Sequence, residues 1–290
     1  MQMNKQTNNK MNHRIHHPEL SVILLDEELR DKFTAKGRLK IYKSLKSQNL
    51  VAHKNIFVVS KATGLPKLSD FIREANRRNH LKALLIRPDV KNGIIPKMMA
   101  AANVRSLRNT ILFEGPVLVK RILNAWEINA QDQLIADASV NKDTLYVISC
   151  SLRMYSVPFN KIPALKKIDD AFRTNFIIAE DGRYIHWAKD DIHLDIETLE
   201  YHTNERYRKE SDTKKLQYHR NLGAAIKAIR QDSGIQQSDI PGLSARQLRR
   251  IENGETTVTT KALGKIASGH NMTLEEYLDL IAIRISYEKV

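Results

Sequence analysis

The sequence predicts a multidomain protein of mixed α/β and α+β class that ends in an all-α unit. Three observations carry that reading. Short unbroken apolar runs at Ser21–Leu25, Ile56–Val59, Ala83–Ile86 and Ile111–Phe113 alternate with helical stretches, the pattern of a parallel sheet covered on both faces. Between about 126 and 204 the period becomes two, with aromatic and β-branched runs paired across tight turns, which predicts a small α+β hairpin module. From Leu222 to Ala282 apolar residues recur only at helical spacing, beginning with Leu222, Ile226 and Ile229, so this part reads as all-α.

Composition narrows the class. The chain has 290 residues, 42% of them hydrophobic, enough for two or three domains with a sizeable core. One cysteine, Cys150, excludes an internal disulfide framework and suits a reducing, cytoplasmic compartment. No apolar run reaches the roughly 18 residues of a membrane span, and the polar start is unlike a secretory signal. Net charge is +14 and is uneven. Residues 1–125 hold 24 basic and 9 acidic side chains, whereas residues 126–210 are slightly acidic. Such an excess suits nucleic acid or an acidic partner, and equally a solvated surface. The expected parts are a disordered tail (1–18), a basic α/β domain (19–125), the hairpin module (126–204), a charged linker (205–221) and the helical unit (222–290). His13, His16 and His17 lie in the tail without acidic or cysteine partners nearby, so they are read as tail rather than site.

In the first domain, strand one runs into Asp26-Glu27-Glu28 and a basic helical stretch. Gly64-Leu65-Pro66 reads as a turn, and Ser69 caps a helix to Asn79 that buries Phe71, Ile72 and Ala75. Further helices are expected over Pro96–Leu107 and Val117–Trp126. Asp26, Asp70 and Asp89 lie at strand ends or a helix start, where carboxylates can hold a divalent cation for phosphodiester hydrolysis. The order Leu24-Leu25-Asp26-Glu27, Val58-Val59, Gly64-Leu65, Ser69-Asp70 and Ile86-Arg87-Pro88-Asp89 faintly resembles the PIN-type nucleases, although Arg87-Pro88 departs from their pattern. That resemblance implies, as the alternative function, a nucleic-acid-cleaving enzyme whose catalytic acids are these three. The Lys61-Ala62-Thr63-Gly64 segment lacks the glycines and lysine of a phosphate-cradling loop, and no nucleophile–base pair is recognisable, so no cofactor is expected.

In the module, strands are expected over Leu134–Val140, Thr144–Ile148, Leu152–Ser156, Phe176–Ile178, Tyr184–Trp187 and Ile192–Leu194. A helix is expected from Pro163 through Phe172, another from Asp195, and Asp181-Gly182 is a hairpin turn. Leu145–Ile148, Val157-Pro158-Phe159, Asp181–Trp187 and Asp190–Leu199 together resemble a family known as domain of unknown function 2442. Some of its members carry a repressor-like domain on the C-terminal side, and the resemblance implies an antitoxin-like partner role rather than catalysis. His186, Asp191, His193 and Asp195 could suggest a metal. Strand alternation alone produces such polar faces, so they are read as the wet side of a hairpin and no metal is expected.

The C-terminal unit holds the sharpest pattern. Gly234 stops the first helix, a short polar turn of helix over Gln236–Ile240 follows, and Pro241-Gly242 ends it. Ser244 and Gln247 then form a capping box for a helix closed by Gly254. Leu248 and Ile251 face inward and leave Arg246, Gln247, Arg249 and Arg250 outside. Two more helices carry Leu263 and Ile266, then Tyr277, Leu278 and Ile281 behind a second capping box, Thr273 with Glu276. Leu222-Gly223, Ile226, Ile229, Gly234-Ile235, Gln237, Ser244, Leu248 and Ile251-Glu252-Asn253-Gly254 resemble the phage-repressor (Cro/cI, XRE) helix-turn-helix family. The stretch from Gln237 to Glu252 is about one helical turn shorter than in that family. The resemblance implies a lambda-repressor-like domain and a dimeric, sequence-specific transcriptional regulator of double-stranded DNA, with an antitoxin-like, toxin-binding variant of that role. It places Gln237, Ser244, Ala245, Arg246, Gln247, Arg249, Arg250 and Asn253 at the DNA, and it makes Glu252 structural.

Overall fold

The computed structural model describes residues 18–45, 49–91, 93–104 and 108–287. The expected tail therefore lies outside the described residues except for Pro18, as does part of the expected Pro96–Leu107 helix. The chain forms two compact units, Met1–Leu199 and Glu200–Val290.

The first unit opens with β1 (Leu20–Leu24), β2 (Leu39–Tyr42), β3 (Ile56–Lys61), α1 (Leu65–Arg77), β4 (Leu81–Arg87), α2 (Ile95–Ala101), β5 (Thr110–Leu112) and α3 (Pro116–Glu127). The five strands form one sheet in the order β2-β1-β3-β4-β5, every pairing parallel. All five residues of β1 are buried, as continuous apolar runs require when both faces are covered. Alternation divides the strands between two cores. Val22, Leu24, Phe57, Val59, Ala83 and Leu85 pack with Val119, Ile122 and Leu123 of α3. Ile23, Ile56, Val58, Leu84 and Ile86 pack with Leu65, Leu68, Ile72 and Ala75 of α1 and with Ile95 of α2.

The hairpin module follows: β6 (Ile135–Asn141), β7 (Thr144–Ser149), β8 (Met154–Pro158), β9 (Ile177–Ile178), β10 (Ile185–Trp187) and β11 (Ile192–Leu194). It makes two antiparallel three-stranded sheets, β6-β7-β8 and β11-β10-β9, around a core that includes Trp187, Phe159 and Leu199. The module is not separated from the parallel sheet. Ala136 and Cys150 belong to the same core as β1, β3 and α3. The Trp126 indole donates to the Cys150 carbonyl at 3.0 Å, and Arg121 donates to the Ala136 carbonyl at 2.7 Å. The expected division near residue 125 thus falls within a shared core.

Four local expectations differ. The basic stretch after β1 contains β2, in which Leu39 and Ile41 alternate with Lys40 and pack on the core. Its charge conceals a period of two. Helix α1 begins at Leu65 rather than Ser69, because Pro66 sits in the first turn, where its missing N–H costs nothing. The segment after Pro158 is three separate 3-10 turns, Phe159–Lys161, Leu165–Lys167 and Asp170–Phe172, instead of one helix. The charged stretch 205–221 is helical rather than irregular.

The division between the units falls inside α4 (Ile196–Thr203). The second unit contains α5 (Glu205–Asp232), a 3-10 turn (Gln237–Asp239), α6 (Ala245–Glu252), α7 (Thr260–Gly269) and α8 (Leu274–Tyr287). Asn204 caps α5 by accepting from Tyr207 N. Glu205–Lys209 and Arg206–Glu210 pairs at i, i+4 support its first turns, which contain neither glycine nor proline. The charges that suggest a linker are therefore those of a solvated helix. Leu222, Ala225, Ile226 and Ile229 of α5 form the core with Ile240, Leu248, Ile251, Ile266, Ala267, Tyr277 and Ile281.

Candidate nucleic-acid interface

Helix α6 is held from both ends. At its start the capping box forms as the sequence implies: Gln247 N donates to Ser244 Oγ at 3.2 Å and Ser244 N donates to Gln247 Oε1 at 3.1 Å. At its end the chain turns through Gly254, whose φ is +67°. A Cβ on Gly254 would lie 2.7 Å from Arg220 Cα, and one on Gly223 would lie 2.4 Å from the Ile251 carbonyl oxygen. Two glycines thus allow the backbones of α5 and α6 to approach more closely than any side chain would permit.

Beneath this contact lies a buried ion pair. Arg230 donates to Glu252 through Nε at 2.6 Å and Nη2 at 3.1 Å, and its Nη1 reaches the Ile235 carbonyl at 2.7 Å. Gln237 Nε2 adds a fourth bond, to Glu252 Oε2 at 2.7 Å. The two residues that donate to the carboxylate, Arg230 and Gln237, come from different segments, so Glu252 ties α5, the 3-10 turn and α6 together. The hydrogen bonds that it donates to Glu252 raise the pKa of Arg230. Nearby, burial and then the Glu252 charge push the Tyr277 hydroxyl well up. Burial and the Arg230 charge lower His270, whose ring lies 5.1 Å from that of Tyr277.

The remaining face of α6 is open. Ala245, Arg246, Gln247, Arg249, Arg250 and Asn253 are exposed, while Leu248, Ile251 and Glu252 are buried. Arg250 lies 3.8 Å from Glu255, which also accepts from Asn253. Arg246 and Arg249 make no ion pair among the described residues. Eight helical residues span about 12 Å, close to the width of the B-DNA major groove. Of the eight residues assigned to DNA from sequence, six lie on this face and Ser244 stands exposed at its N-cap. Gln237 does not join them, since its amide is turned inward to Glu252, and the Gln247 side chain is engaged in the cap. Arg230 carries no motif, yet its position is a signal: it falls four residues after Ile226, on the buried stripe, where a cation requires an acidic partner.

The three acids of the alternative reading do not converge. Asp26 is fully buried and paired with Arg87, at 2.5 Å from Nε and 2.8 Å from Nη2. Arg87 also pairs with Glu28 at 2.9 Å. With Lys61 it holds the Glu28 carboxyl down to about 2. Asp70 is exposed beside Arg73. Asp89 accepts from the backbone and hydroxyl of Thr63, and these bonds outweigh burial, so its pKa is lowered. Arg87 therefore provides Asp26 with the positive charge that a bound cation would otherwise supply. Burial pushes the Cys150 thiol up to about 12, which makes it inert as a nucleophile. In the module, His186, Asp191 and His193 do approach one another, their donor atoms lying within 4.8 Å. Asp195 instead caps α4 by accepting from Thr198 N at 2.8 Å. No helix among the described residues is long and apolar enough to cross a membrane. Comparison with protein families, with curated proteins and with solved structures returned no match to this chain.

Proposed function

We propose that the chain is a sequence-specific DNA-binding transcriptional regulator of the cytoplasm. In this reading its C-terminal unit is a helix-turn-helix whose second helix is reduced to the 3-10 turn Gln237–Asp239 and whose recognition helix is α6. One observation carries it: a short helix rigidly anchored by Leu248, Ile251 and Glu252 presents three arginines on its exposed side. Arg246 and Arg250, four apart, point to base edges, and Arg249 to the phosphate backbone. Arginine is suited to both, since its guanidinium fork pairs bidentately with guanine and with phosphate. One helix of this length reads only a few base pairs, so useful specificity requires a homodimer on two half-sites. The first unit then serves dimerisation or holds a partner protein, which would make the chain an antitoxin-like autoregulator. A tethered nuclease is the weaker reading, because Arg87 occupies the carboxylate it would need.

The test is selection of bound duplexes from a random pool by the intact protein. Enrichment of a site with two related half-sites about one helical turn apart supports the reading, and a pool that stays random rejects it.

A further inference from the structure

The hairpin β10–β11 carries an unassigned side-chain cluster. His186 and His193 face each other across the antiparallel ladder. Their neighbours Ile185, Trp187, Ile192 and Leu194 point the other way and are buried in the module core. Strand alternation thus fixes both imidazoles on one outer face, above a packed platform. The rings stack at 4.1 Å between centroids, with Tyr184 edge-on to His193 at 4.8 Å. The connecting loop ends at Asp191, which has a φ of +50°. There its carboxylate Oδ1 lies 3.6 Å from His186 Nε2 and 3.9 Å from His193 Nδ1. His186 Nε2 is enclosed and has no hydrogen-bond partner, a state that costs free energy unless something occupies it.

We propose that His186, Asp191 and His193 form a binding site for a zinc-class divalent cation. Two ligands at tetrahedral bond lengths and angles stand about 3.4 Å apart. The observed donor separations exceed that by a few tenths of an ångström for the two carboxylate pairs, and all three donors lie within 4.8 Å. Closure requires the stacked imidazoles to rotate apart about χ2 so that their in-plane lone pairs meet one ion, while the backbone register already holds both side chains in reach. Two imidazoles and one carboxylate favour Zn²⁺, Co²⁺, Ni²⁺ or Cu²⁺ over the all-oxygen preference of Mg²⁺ and Ca²⁺. Asp191 is open to solvent, so water completes the shell, as at zinc sites with three protein ligands. The ion would join β10 to β11 and stabilise the folded module by linkage.

The test uses the full-length chain with His13, His16 and His17 all changed to alanine, which removes the tail histidines as competitors. After chelation, Zn²⁺ is titrated calorimetrically and Co²⁺ by its visible d–d absorption. The expected result is about one ion per chain with a tetrahedral Co²⁺ spectrum, and a Zn²⁺-dependent rise in the thermal transition followed by tryptophan fluorescence. His186→Ala should abolish this binding, and Asp191→Asn should weaken it. His193→Gln alters a half-exposed side chain and keeps the fold, so it should abolish binding with an unchanged transition in metal-free buffer. The loss should exceed the roughly 10–100-fold caused by removing an outer-shell partner. Zn²⁺ affinity that is unchanged in His193→Gln, or absent once the tail histidines are replaced, overturns the site.

Discussion

Replacing Glu252 with alanine tests the anchor of α6. The substitution removes a carboxylate whose side chain is 1% exposed and leaves the Arg230 guanidinium, 9% exposed, with only the Ile235 carbonyl. Gln237 Nε2 loses its acceptor as well. Breaking a buried pair by removing one partner costs about 3–5 kcal/mol, because the remaining charge stays desolvated. Replacing both partners together with apolar residues of similar volume, Arg230→Met with Glu252→Leu, should restore most of that loss. The intact chain offers a clean assay. Both tryptophans, Trp126 and Trp187, lie in the first unit, so urea unfolding followed by tryptophan fluorescence reports that unit alone, while far-UV circular dichroism adds the helices of the second. Glu252→Ala should move the dichroism transition to lower urea and leave the fluorescence transition in place. DNA affinity should fall in proportion to the unfolded fraction, with the preferred sequence unchanged. An unchanged dichroism midpoint with an altered base preference would refute the structural role and place Glu252 at the DNA.

Other outcomes follow from the same geometry. Arg246→Ala and Arg250→Ala should each weaken specific binding by roughly 1–3 kcal/mol per lost bidentate contact, with unchanged melting; footprints identical to wild type would show that α6 is not the reader. Gly223→Ala places a Cβ against the Ile251 carbonyl and should cost about 1–3 kcal/mol by overpacking, seen as an earlier dichroism transition; a neutral result would mean that α5 and α6 can separate freely. His270 has a lowered folded pKa, through burial and then Arg230, against an ordinary value of 6.5. Its contribution to stability is therefore complete above about pH 6.5 and lost as pH falls through the lowered value. Melting of the second unit from pH 8 to pH 5 should show the loss, and His270→Gln should flatten it.

How much was legible depended on whether the signal was local. The three inner strands, β1, β3 and β4, are visible as apolar runs because a doubly covered strand needs no polar residues, and the edge strand β5 shows through its short run Ile111–Phe113. β2 was hidden because an edge strand can afford Lys40 between Leu39 and Ile41. The capping boxes at Ser244 and Thr273 are read directly from spacing and form as expected. Non-local pairings were not readable. Nothing in the sequence links Asp26 to Arg87 or Arg230 to Glu252, since each pair closes a long loop. The shared core of Ala136 and Cys150 with the parallel sheet is likewise invisible to patterns that end at residue 125. The convergence of His186 and His193 requires the β10–β11 register, which depends on the four-residue turn between Trp187 and Ile192.

The central claim is that sequence is read by the second unit and that the basic first unit adds at most charge. Cutting at residue 125 would split a core, so the informative truncation is residues 200–290. Log affinity against log salt should be measured for this fragment and for the intact chain, each on the selected duplex and on a random one. Phosphate neutralisation falls steeply with salt and is indifferent to sequence. The account predicts that the fragment keeps the same preference for the selected duplex, with an equal or shallower salt slope. A fragment that binds both duplexes equally, while the intact chain still discriminates between them, would contradict it.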